Sequence, residues 1–98
     1  MAARLAVFRS LDVVRPTRLS VFSDRIEVTR RYGRVVRTRR IEYESLSSVE
    51  IEDAKGSSSV IIVDDLGTVP VPHMGREDAW RARRLIEGLR NPAPAAPG

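Results

Sequence analysis

From Thr17 onward only one segment, from about Arg76 to Leu89, repeats its apolar residues at helical spacing, so most of the fold beyond the first sixteen residues must be built from strands. The apolar stripe is Ala79, Ala82, Leu85, Ile86 and Leu89. Trp80 at its flank is expected to anchor the core, while Arg81 and Arg84 fall on the solvent side. Glu77 and Asp78 near the start and Arg90 at the end suit the helix dipole, and Asn91-Pro92 stops the helix. Residues 91–98 are rich in Pro, Ala and Gly and read as a disordered tail.

Between Thr17 and Pro72 short alternating runs are separated by turn signals. Leu19 to Phe22 is β-prone, Ser23-Asp24 turns the chain, and Ile26 and Val28 alternate with Glu27 and Thr29. A three-residue loop of Arg31, Tyr32 and Gly33 would put the glycine at the left-handed position. That register sets Val28 against Val36, Glu27 against Arg37 and Asp24 against Arg40. Continued unchanged, it would turn Ile41 and Tyr43 to solvent, so a β-bulge is expected between Thr38 and Arg40. Val49 and Ile51 alternate with Glu50 and Glu52 ahead of a hairpin loop at Asp53 to Ser57.

Val60-Ile61-Ile62-Val63 is apolar at every position, which needs cover on both faces or a partner on one. If Val60 and Ile62 point inward opposite Val69 and Val71, then Ile61 and Val63 point outward. With Phe8 of the N-terminal segment they form the expected interface. Asp64-Asp65 resembles half of a metal site, but Gly67 makes a turn the better account, and His73 reads as a loop residue. Pro70 and Pro72 remove donors from one side of a strand and so mark it as an edge. Residues 1–16 read two ways: Arg4 to Phe8 suits a strand or a loosely docked segment, while Ala3, Val7, Leu11 and Val14 share a helical face. The 98 residues leave room for one domain, a meander plus helix over 17–90.

Sixteen of the 17 basic residues are arginine, and they are spread unevenly. Nine arginines lie between Arg15 and Arg40 against Asp24 and Glu27, whereas Ile41 to Asp65 holds seven acids against Lys55. Within the basic third, Arg30, Arg31, Arg34, Arg37, Arg39 and Arg40 with Tyr32 form a candidate anion-binding cluster, since guanidinium forks suit phosphate and carboxylate. The competing expectation is that Glu27, Glu42, Glu44, Glu50 and Glu52 neutralise them. With no cysteine, one histidine and no phosphate loop or nucleophile elbow, neither catalysis nor a cofactor or metal is expected. No signal-peptide core or membrane-spanning run is present, and the expected location is cytoplasmic, with peripheral contact to a membrane left open.

The order of these elements resembles the bacterial pleckstrin-homology-like family over roughly Pro16 to Leu89. The residues that carry the likeness are the strand opening Ser23-Asp24-Arg25-Ile26-Glu27-Val28, the turn at Gly33, the arginine-rich strand, the stretch IEYESLSSV from Ile41 to Val49, the apolar strand Val60 to Val63 and the closing helix. The resemblance implies a mainly β (α+β) fold, a strongly bent antiparallel barrel or sandwich closed by one C-terminal helix. It also implies an interaction or assembly module. A protein partner or a second copy is the expected partner, followed by acidic membrane lipid through the arginine hairpin and, less favoured, nucleic acid. The lysine-led motif of lipid-binding relatives is absent here.

Overall fold

Alternating side chains and two-residue turns organise residues 3–90, those described by the computed structural model, into seven strands and one α-helix. β1 (Arg4–Arg9), β2 (Thr17–Phe22), β3 (Arg25–Tyr32) and β4 (Val35–Glu42) pair antiparallel in that order as a four-stranded sheet. A 3-10 turn at Tyr43–Ser45 leads to β5 (Leu46–Ala54), β6 (Ser57–Asp64) and β7 (Gly67–Met74), which form a separate three-stranded sheet, and α1 (Arg76–Arg90) follows. The fold is therefore mainly β, with one C-terminal helix. Residues 1–2 and the expected tail, 91–98, lie outside the described residues.

The β3–β4 hairpin departs from expectation. Its reversal is a two-residue turn, Gly33-Arg34, with Gly33 at φ 61 in the first position, where a turn of type II′ needs a residue without Cβ. Tyr32 consequently faces Val35, Arg30 faces Arg37, Val28 faces Arg39 and Glu27 faces Arg40. A three-residue slip from the expected pairing reverses the face of every β4 side chain. Ile41 then lies opposite Ile26 in the interior without the bulge expected at Thr38 to Arg40, and the ladder runs unbroken from Arg25/Glu42 to Tyr32/Val35. Register shifts occur elsewhere, with the extra residue in β1, β5 and β7.

The inner faces of both sheets share one core. Val60 opposes Val71 and Ile62 opposes Val69, and all four are buried with Leu19, Val21, Ile26 and Ile41 from the other sheet. Arg4–Arg9 settles the two readings of the N-terminal segment as a strand. Its Phe8, expected at an interface, pairs with Leu19 and is only 5% exposed, so it belongs to the intrachain core. At the far end of β7, His73 adopts φ 57 and its carbonyl accepts the Leu11 N–H at 2.5 Å, which ties the β1–β2 loop to the three-stranded sheet.

α1 packs on β5 and β6 through Ala79, Ala82 and Ile86, all fully buried; the two alanines let the helix axis approach the strands closely. Leu85 and Leu89 are half-buried at the margin of that contact. Trp80 is not a core anchor. It is 36% exposed, with the Arg83 guanidinium 5.5 Å from its ring centroid, because the narrow Ala79–Ala82–Ile86 stripe leaves the neighbouring flank in solvent. Arg83 also donates to the Val49 carbonyl at 3.1 Å and Arg90 to the Ser47 carbonyl at 2.7 Å, covering the open edge of β5. Ile86→Ala should cost about 2–5 kcal/mol in urea unfolding, and Leu85→Ala distinctly less, since a half-buried side chain leaves a smaller cavity.

Candidate functional site

The β3–β4 turn, the β1–β2 loop and the end of β7 converge at one end of the molecule, and there the arginines divide by register. On the inner face, Arg30 and Arg37 stand directly opposite each other, one pair beyond Val28 and Arg39. Arg30 donates through Nη2 to the Pro70 carbonyl on the edge of β7, while its buried Nε has no hydrogen-bond partner. Arg39 reaches across to Asp64, donating to both carboxylate oxygens at 2.7 Å. Arg30, Arg37 and Arg39 line, with Val28, Tyr32, Val35 and Val69, a cleft of 690 Å³ between the sheets.

On the outer face of the four-stranded sheet, Arg9 of β1 lies directly opposite Arg18 of β2, in a row continued by Thr29 and Thr38. Arg31 and Val36 form the next pair on that face toward the turn. Arg9, Arg18, Arg31 and Val36 meet Val13 and Pro16 of the β1–β2 loop around a second cleft of 470 Å³. The loop is held by Asp12, whose Oδ1 accepts the backbone N–H groups of Val14 at 2.9 Å and Arg15 at 3.1 Å. Those hydrogen bonds, Arg15's and then Val14's, keep the Asp12 carboxyl below its ordinary pKa. The loop displays Val13 at 91% exposure and Val14 at 80%.

Two of the cluster's arginines are neutralised within the chain: Arg39 by Asp64, and Arg40 by Glu42 at 3.6 Å on an exposed face. Glu27 pairs with Arg25 instead. Among the described residues no carboxylate lies within ion-pair distance of Arg31, Arg34, Arg37, Arg9 or Arg18, and the Arg31 guanidinium donates to the Gly33 carbonyl. Two like-charge pairs, Arg9/Arg18 and Arg30/Arg37, thus face each other across neighbouring strands, an arrangement that destabilises a sheet on its own. Sequence reasoning missed Arg9, Arg18, Val13 and Val14. The signal was that Arg9 and Arg18 flank a turn-prone stretch over residues 10–16, so that a β1–β2 hairpin would pair them.

Ile61 and Val63 are half-buried on the outer face of the three-stranded sheet. Ile61 lies between Glu50 and Pro70, and Val63 between Ser48 and Thr68. Asp64, on the inner face, is buried. Burial alone would raise its carboxyl, but the Arg39 guanidinium and the backbone amides of Leu66 and Gly67 outweigh that and hold it below the ordinary 3.8. A carboxyl whose folded pKa is depressed stabilises the fold above its unfolded value and loses that contribution as pH falls through the folded one. Asp64→Asn should therefore unfold more easily than the parent at neutral pH, and the gap in urea midpoint should close as the pH is taken below 3.8. No protein-family model, curated protein or solved structure matches the chain.

Proposed function

We propose that the chain is a non-catalytic interaction module of pleckstrin-homology-like fold that docks on an acidic protein surface through the arginine end of its four-stranded sheet. The observation that carries this reading is the pair of facing arginine pairs, Arg9/Arg18 and Arg30/Arg37, with no carboxylate among the described residues within ion-pair distance of either. A sheet gains nothing from such pairs in isolation, and an acidic partner converts the repulsion into attraction. The arrangement of four strands, three strands and a closing helix supports the family reading, in which the two sheets would bend toward a sandwich capped by α1. Val13 and Val36 supply an apolar centre beside the charged rim, the composition usual for protein interfaces.

A second reading, contact with an acidic lipid surface, is favoured by Val13 and Val14, which project from a loop that also carries Arg15. Exposed valines beside arginine suit the boundary between headgroups and acyl chains. No helix among the described residues is long and apolar enough to cross a membrane, so such contact through these elements would be peripheral.

Binding of the full chain to poly-glutamate and to vesicles containing phosphatidylserine, measured at low salt, separates the readings. Protein docking predicts binding to poly-glutamate that is lost when Arg9, Arg18 and Arg31 are together changed to Gln, with Val13→Asp and Val14→Asp having little effect. Lipid contact predicts vesicle binding that the valine changes abolish. Absence of binding to both, where screening is weakest, would overturn the proposal.

A further inference from the structure

We infer that the acidic partner of the arginine face is a second copy of this chain, which docks through the outer face of its three-stranded sheet and builds head-to-tail assemblies. This rests on the acid-docking reading above and names its partner. The outer face of β5–β6–β7 combines apolar and acidic side chains. Half-buried Ile61 and Val63 lie at its centre with Pro70, and exposed Glu50, directly opposite Ile61, and Glu52, opposite Ser59, line one side. Asp65, in the β6–β7 turn, is a further exposed carboxylate. Among the described residues, no arginine or lysine lies within ion-pair distance of Glu50, Glu52 or Asp65, and Lys55, in the β5–β6 turn, is the nearest base along the chain.

The two faces match in kind. One offers arginines beside Val13 and Val36, and the other offers Glu50 and Glu52 beside Ile61, with no ion-pair partner for any of these charges among the described residues. Each like-charge surface is unfavourable alone and complementary to the other, and apolar centres can close on each other once the rims are paired. The sheets contribute their inner faces to one core, so these outer faces turn away from each other and a single chain cannot join them. The contact is heterologous: the basic face of one copy meets the acidic face of the next, and each added copy presents a fresh face. Pro70 and Pro72 on the β7 edge direct growth face to face instead of by strand addition there.

The test uses two variants of the full chain that neutralise exposed charges and leave the core untouched. One carries Arg9→Gln with Arg18→Gln, and the other carries Glu50→Gln with Glu52→Gln. Sedimentation velocity at low salt should show the parent growing with concentration beyond a dimer, and each variant alone as a folded monomer by circular dichroism. An equimolar mixture should give a one-to-one dimer and nothing larger, since one intact basic face and one intact acidic face remain. A parent that binds poly-glutamate yet stays monomeric would overturn this inference and leave the acid-docking reading standing. Association that persists in either variant alone, or a mixture that stays monomeric while the parent associates, would also overturn it.

Discussion

Gly33, at φ 61, is the first of two residues that reverse the chain between β3 and β4, and eight cross-strand pairs take their alignment from it. A side chain with a Cβ resists that backbone conformation, and the surrounding space is open, so the requirement is conformational and not one of room. With this turn in place Ile41 enters the core, Arg39 comes within reach of Asp64, and Arg37 is set against Arg30. A turn one residue longer would exchange the two faces of β4 and scatter the same arginines differently.

That placement divides the arginines into two physical roles. Arg30, Arg83 and Arg90 donate to the carbonyls of Pro70, Val49 and Ser47, which lie on the edge strands β7 and β5 of the three-stranded sheet. Unpaired edge carbonyls invite pairing with another chain, and a guanidinium covers them while its stem packs on neighbouring apolar surface. Among the described residues, the guanidinium groups of Arg9, Arg18, Arg31, Arg34 and Arg37 have neither a carboxylate nor an edge carbonyl of a neighbouring strand to satisfy them. Their exposure at one end, beside Val13, Val14 and Val36, is what gives the fold a candidate interaction surface.

Much of the fold was legible in local pattern. The helix stands where the 3.6-residue period put it, β6 alternates buried and half-buried as the Val60-to-Val63 run required, and the prolines lie on an edge strand. The β3–β4 register was not legible, because two- and three-residue loops both use a glycine with positive φ, and local pairing of Val28 with Val36 favoured the wrong one. Trp80, at the flank of the apolar stripe, was expected to anchor the core, yet the buried contact of α1 is made by Ala79, Ala82 and Ile86 and leaves Trp80 36% exposed. Phe8, Arg9 and Arg18 went unread as a unit because the N-terminal segment carries both a strand and a helix pattern, and only the pairing of β1 with β2 decides between them.

The central claim is that the facing arginines are held against the preference of the sheet, for the sake of a partner. The direct measurement is the urea midpoint of Arg18→Thr at low salt, compared with the parent under conditions where both are monomeric. Removing one member of the Arg9/Arg18 pair in favour of a good strand former should raise the midpoint, and added salt should shrink the difference by screening the repulsion. A lower midpoint for Arg18→Thr would show that Arg18 stabilises the chain itself, and would contradict the account.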